Sequence, residues 1–125
     1  DEYSETVGYK IEGPTKTALF IPDIDKWEKW ERDILEEIKT VDYAFVDATF
    51  FSGQELNNRD MAEIPHPFIL ESMAKFDGLS SADKAKVIFI HFNHTNPVID
   101  PTSAESKLVL SKGFRIARIK DVFEL

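Results

Sequence analysis

Three histidines and several aspartates at the ends of apolar runs are the residues of this chain best placed to do chemistry. Pro22-Asp23-Ile24-Asp25 follows one apolar run, Asp47-Ala48-Thr49 follows a second, and a third leads into His91-Phe92-Asn93-His94-Thr95-Asn96-Pro97. A zinc- or iron-type cation needs imidazole and carboxylate from separate segments, because one flat segment cannot fill a tetrahedral or octahedral shell. Asp23 and His91 are the first ligand candidates, with His66 and His94 as further contributors. Each also has a purely structural reading. Asp23 can close an Asx turn after Pro22, Asp25 can cap a following helix, His66 can be an exposed loop residue between Pro65 and Pro67, and His94 can hydrogen-bond within its own turn. His91 ends an Ile-Phe-Ile strand, where an imidazole must find a carbonyl, a carboxylate or a metal as partner.

Composition narrows the chemistry further. The chain has 125 residues, 42% of them hydrophobic and 30% charged, which is the makeup of one globular domain. It has no cysteine, so a disulfide framework, thiolate-ligated zinc, iron–sulfur clusters and thiol catalysis are all excluded, while the compartment stays undecided. With 23 acidic against 15 basic side chains the net charge is -8, and the lysines and arginines do not cluster. That balance argues against a nucleic-acid partner. Apolar runs such as residues 87–90 are far shorter than the roughly 20 residues of a membrane span. The chain opens on Asp1 with no signal-like segment, which suggests a piece of something longer.

The elements that must position these residues are legible from periodicity. Val7, Tyr9 and Ile11 alternate with Gly8 and Lys10, Gly13-Pro14 supplies a turn, and residues 18–21 form a second run stopped by Pro22, which together predict a β-hairpin. Trp27, Trp30, Ile34, Leu35 and Ile38 recur at helical spacing after Asp25 as cap. Residues 43–46 predict a buried strand. A long polar loop over 52–67, with one turn around Glu55, leads to a second helical stripe of Phe68, Ile69, Ser72, Met73 and Phe76, ended by Gly78. A short turn from Ser80, a buried strand over 87–92, a helix from Thr102 or Ser103 to Lys112 closed by Gly113, and a strand over 114–119 complete the order. β-β-α-β-loop-α-β-α-β predicts an α/β layered fold with a parallel or mixed sheet, whose ligands sit beyond the carboxyl ends of the strands.

With these motifs in place, the chain resembles the C-terminal half of a metallo-β-lactamase-fold hydrolase over nearly its whole length. The segments that carry the resemblance are 7–23, 43–50 and 91–97. Asp47 to Phe50, Arg59-Asp60-Met61 and His91 to Pro97 are most similar to the branch containing the coenzyme PQQ biosynthesis protein B. The resemblance implies one half of a four-layer αββα sandwich, a mixed sheet with helices on one face, spanning residues 1–125. It implies Asp23 as the carboxylate that bridges or ligates the metals and His91 as a late histidine ligand. His66, with His94, is then a catalytic candidate that assists the leaving group. Two divalent ions, zinc first with iron or manganese as alternatives, would serve a small ester, lactone or phosphodiester substrate.

The family's His-x-His-x-Asp-His motif is absent here, so the N-terminal half is the expected partner and this chain alone is expected to be inactive. An uncovered sheet face, with Ile11, Leu19, Ile21, Phe45, Ile88 and Ile90 as its candidates, would favour a homodimer. The competing readings are a PQQ-biosynthesis-type metalloprotein and a non-catalytic α/β binding module.

Overall fold

In the computed structural model, residues 8–56 and 59–125 are described. The strand start expected at Val7 and the breakers Asn57 and Asn58 lie outside the described residues. Strands β1 (Tyr9–Glu12) and β2 (Thr17–Ile21) form the predicted hairpin, turned where the Gly13 N–H donates to the Lys16 carbonyl at 2.8 Å. Strands β3 (Tyr43–Asp47), β4 (Val87–Ile90) and β5 (Arg115–Ile116) follow in parallel, and the sheet order is β1-β2-β3-β4-β5. Crossovers between the parallel strands are made by helices α1 (Ile34–Lys39), α2 (Ile69–Phe76), α3 (Ser81–Lys84) and α4 (Ala104–Ser111). The result is a mixed five-stranded sheet of α/β type, as the element order predicts.

Register decides which side chains meet the helices. Leu19, Ala44, Val87 and, one row on, Ile21, Val46, Phe89 and Ile116 stand in line across the sheet. All are buried in one core with Ile34, Ile38, Ile69, Met73, Phe76 and Val109 of the helices. Leu19 and Ile21 therefore point into the helical layer, not to the open face where the sequence reading placed them. Period-two alternation allows only one parity per face, and Ile11 pairs with Ala18, so Leu19 and Ile21 fall on the opposite side from Ile11. The other face carries Tyr9, Phe20, Phe45, Ile88 and Arg115 in one row, with Ile11, Ala18 and Tyr43 in the next. No helix covers it.

What partly covers that face is the segment after β5. Phe123 meets Phe45 and Tyr43 edge-on at 5.0 and 5.3 Å between ring centroids, and the Arg115 guanidinium lies 5.1 Å over the Phe123 ring. The Leu125 carbonyl accepts from Thr15 N–H at 2.7 Å and Lys16 N–H at 3.0 Å. The strap is seated against Gly13, where a Cβ would come within 2.3 Å of Leu125 Cβ. Gly13→Ala is therefore expected to push residues 122–125 off the sheet at a cost of about 1–3 kcal/mol. Amide exchange at Lys16 and protease cleavage near Phe123 measure it, and unchanged protection would refute the seating.

One helix and one strand differ from the periodic pattern. The stripe beginning at Trp27 is one 3-10 turn, Trp27–Lys29, followed by the separate helix α1, and the cap is Asp33, which accepts from Leu35 N–H at 3.0 Å. Asp25 instead accepts from the Lys26 N–H at 2.7 Å and pairs with Lys29. The cause is tertiary: Trp27 Nε1 donates to Ser72 Oγ and Lys26 pairs with Glu71, so α2 holds the start of the segment out of helical line. The last strand is only two residues long because the chain turns at Arg118, whose guanidinium donates to the Val98 carbonyl at 2.7 Å.

Candidate metal centre

The strand ends do converge. Asp47 closes β3 on the tail-side face and is completely buried. Its Oδ2 accepts from Ile24 N–H at 3.0 Å and from His66 Nδ1 at 2.7 Å, while Oδ1 accepts from Thr49 N–H at 2.8 Å and Thr49 Oγ1 at 2.7 Å. Four donors on one carboxylate satisfy the acceptor capacity that burial would otherwise make costly. Through these bonds Asp47 ties the turn after β2, its own loop and the His66 loop into one site.

His66 is brought there by α2. The Ile69 and Leu70 N–H groups donate to the Phe50 and Phe51 carbonyls at 3.0 and 3.2 Å, docking the helix start on the loop after β3. Glu71 reaches back to the Phe68 N–H at 2.9 Å, fixing the entry to the helix two residues beyond His66. The His66 ring also lies 3.5 Å from Asp23 Oδ1. Asp23, Asp47 and His66 each offer one ligand atom, and the three atoms lie within 4.8 Å of one another.

His91 stands at the rim. Its backbone is left-handed, with φ 66°, an uncommon conformation for a residue with a side chain, and it ends β4 at that point. The turn brings His91 Nδ1 to 3.1 Å from Thr49 Oγ1, while the nearest Asp47 oxygen is 4.0 Å away. His66 and His91 face each other at 6.3 Å between ring centroids. The loop that follows is stitched back by Asn93 N–H to the Thr49 carbonyl at 2.9 Å and by the buried Asn96, whose Nδ2 donates to the Ala48 carbonyl at 2.7 Å.

The sequence reading thus selected Asp23, His66 and His91 from one neighbourhood, and His94 from outside it. His94 is exposed in the turn beyond, and no described contact joins its ring to Asp23, Asp47, His66 or His91. The residue not singled out by spacing as a ligand or hub is Asp47, although Asp47-Ala48-Thr49 follows the second apolar run. The available signal was an aspartate at the end of a strand buried on both faces, where a carboxylate must be fully bonded.

Electrostatics favour a cation. The Asp47 hydrogen bond, and behind it the charges of Asp47, Asp23 and Asp25, raise the proton affinity of His66 above its ordinary value against the opposing effect of burial. A folded-state pKa above the unfolded one means that the pair's contribution to stability is full below about pH 6.5 and is lost as pH rises through the raised value. The stability difference between the protein and His66→Gln is expected to shrink steadily from about pH 6.5 upward. Urea titrations at several pH values measure it, and a difference that grew with pH would overturn the assignment.

The donor set suits a metal of zinc type. Asp23 is 70% exposed, and among the described residues its carboxylate pairs with His66 alone, so its oxygens are open to an ion. One imidazole with carboxylate oxygens is a nitrogen–oxygen site of the kind zinc accepts. Asp47 contributes with difficulty, because a metal on either oxygen must displace one of its four donors.

Comparison with known proteins bears on the family and the fold. The family model described as "Beta-lactamase superfamily domain" matches residues 1–92. Proteins named "Coenzyme PQQ synthesis protein B" are similar in sequence. That of Gluconobacter oxydans (strain 621H) is 26% identical over 126 residues, covering 97% of this chain and 40% of the relative. That of Ruegeria pomeroyi is 28% identical over 121 residues, covering 90% of this chain and 39% of the relative. The chain thus spans about two-fifths of the length of these curated relatives. Among solved structures, zinc-bound PqqB from Methylobacterium extorquens superposes with a TM-score of 0.74 at 21% identity, over 94% of this chain and 40% of that one. The mixed sheet with helices on one face is half of the fold these proteins share.

Proposed function

The chain belongs to the beta-lactamase superfamily domain family, and from that premise we propose that it is the C-terminal portion of a metal-dependent hydrolase of small ester, lactone or phosphodiester substrates. The observation that carries the reading is the Asp47–His66 pair at 2.7 Å with Asp23 in reach, at the carboxyl ends of parallel strands. In this reading Asp23 is the open metal ligand and His91 a second, presented at the rim. When bound, the metal supplies the positive charge that polarises the substrate and acidifies a bound water.

The chain's own residues do the rest. Asp47 holds His66 by Nδ1–H, so the ring has a fixed orientation, and the raised proton affinity keeps it charged further toward neutral pH. A charged imidazole in that place hands a proton from Nε2 to the leaving oxygen. His94, in its exposed turn, has no part in this path. The remaining half of the sandwich packs on the tail-side face, where Tyr9 and Ile11 are 56% and 45% exposed. Without it, a second copy of this chain is expected on the same apolar strip, and light scattering at micromolar concentration reports which holds.

Metal binding and turnover test the reading. Calorimetry on the 125-residue chain is expected to give a zinc Kd no tighter than about micromolar, since two open ligands are fewer than the three or four a stable zinc site uses. Asp23→Ala should weaken it further. Hydrolysis of chromogenic esters and phosphodiesters by the zinc-loaded gene product carries the reaction class. A metal-loaded product that cleaves none of them, yet restores PQQ production in a strain lacking its synthesis protein B, would replace the hydrolase reading with the second one. That alternative is favoured by the two relatives of that name, which cover 97% and 90% of the chain. A product that takes up no metal at all would leave a non-catalytic binding module.

A further inference from the structure

We propose that Thr49 is a positioning residue that sets the tautomer of His91. The inference rests on reading His91 as a metal-facing residue but stands on its own geometry. A threonine hydroxyl has one proton to give. Asp47 Oδ1, at 2.7 Å, is an acceptor that also takes the Thr49 N–H, so the hydroxyl proton points to it. The lone pairs of Oγ1 are then what the imidazoles meet: His66 Nδ1 lies 3.3 Å away but gives its proton to Asp47 Oδ2 at 2.7 Å, whereas His91 Nδ1 lies at 3.1 Å and is the donor to the hydroxyl oxygen.

One buried carboxylate therefore orients two imidazoles. His66 is held directly, through Oδ2 at 2.7 Å, and His91 is held through the hydroxyl relay from Oδ1. His91 then carries its proton on Nδ1 and presents the Nε2 lone pair, the form in which a histidine binds metal, while His66 keeps its Nδ1–H on Asp47 whether or not Nε2 is protonated. The left-handed backbone of His91 has the same logic: φ 66° swings the ring back over the Asp47 loop, where the hydroxyl can reach it. The main-chain bonds that join the two loops, Ala48 N–H to the Ile90 carbonyl and Asn93 N–H to the Thr49 carbonyl, do not involve the hydroxyl. Removing that hydroxyl should release the ring without unstitching the loops.

The experiment is a long-range proton–nitrogen correlation spectrum of the histidine rings in the metal-free 125-residue chain at about pH 9, well above the ordinary imidazole value of about 6.5. His66 and His91 are expected as Nδ1–H tautomers, with the exposed His94 as the unconstrained reference. In Thr49→Val the His91 pattern should move to that of His94 while His66 keeps its own, and Thr49→Ser should restore the wild-type pattern. Zinc affinity should follow, falling about 10–100-fold in Thr49→Val and returning in Thr49→Ser. Wild-type His91 as the Nε2–H tautomer, or a His91 pattern indifferent to loss of the hydroxyl, overturns the proposal. If Thr49→Val does not fold, the wild-type and Thr49→Ser spectra decide alone. Because the tautomers are read without metal, a gene product that takes up no metal, beside a chain that shows the His91 switch, sinks the metalloenzyme reading and keeps this one.

Discussion

Asp47→Ala is expected to destabilise the fold by about 3–5 kcal/mol, the range for removing one partner from a buried charged pair. The substitution strands four donors at once, from Ile24 N, Thr49 N, Thr49 Oγ1 and His66 Nδ1, around a residue with no exposed surface. A domain of this kind has a total stability of about 5–15 kcal/mol, so the loss is a large share of it. Asp47→Asn keeps the volume but turns an N–H₂ toward donors and should fall between the two. Asp23→Ala, at a side chain 70% exposed, should stay within about 0.5 kcal/mol of the parent protein. Urea unfolding of the three variants makes the comparison. A loss below about 1 kcal/mol for Asp47→Ala would mean that water enters the site and replaces the carboxylate.

His66→Ala is expected to lower turnover of the metal-loaded gene product by about 10²–10⁴-fold, the usual contribution of a positioned general acid. The physical ground is that His66 is held by Asp47 at 2.7 Å and carries a raised proton affinity, the two properties a proton donor needs near neutral pH. Metal content should change little, because the Nδ1 nearest Asp23 is already engaged. Substrates with good leaving groups, which need no protonation, should lose far less than those with poor ones. Equal losses on both, together with loss of zinc, would reassign His66 from proton donor to ligand. The ligand role proposed for Asp23 carries the opposite signature, metal lost first and activity with it.

The sequence was readable wherever one local rule governed the outcome. Gly13-Pro14 between two apolar runs specified the hairpin, and the polar stretch before Ile69 specified a loop with one turn around Glu55, seen as the 3-10 turn Gly53–Glu55; the second turn, Met61–Glu63, came from the structure alone. It was less readable where distant segments compete. Trp27 and Ile38 have helical spacing, yet the Trp27 indole bond to Ser72, 45 positions away, breaks the stripe into a turn and a shorter helix capped by Asp33. Spacing contains no information about which of its members will be claimed from outside.

The same division runs through the site. By itself the sequence determined that carboxylates and imidazoles end the central strands of an α/β sheet, because burial on both faces forces apolar runs and leaves polar groups only where those runs stop. It determined that no thiol takes part. Only the tertiary structure decided how the groups are shared: Asp47 at the hub, Asp23 open, His66 raised in proton affinity by its bond to Asp47, His91 turned back onto Thr49, and His94 left outside. The reason is that the hydrogen bonds making these distinctions join residues 17 to 42 positions apart. Their lengths are set by how β3, β4 and α2 pack, which no local pattern encodes.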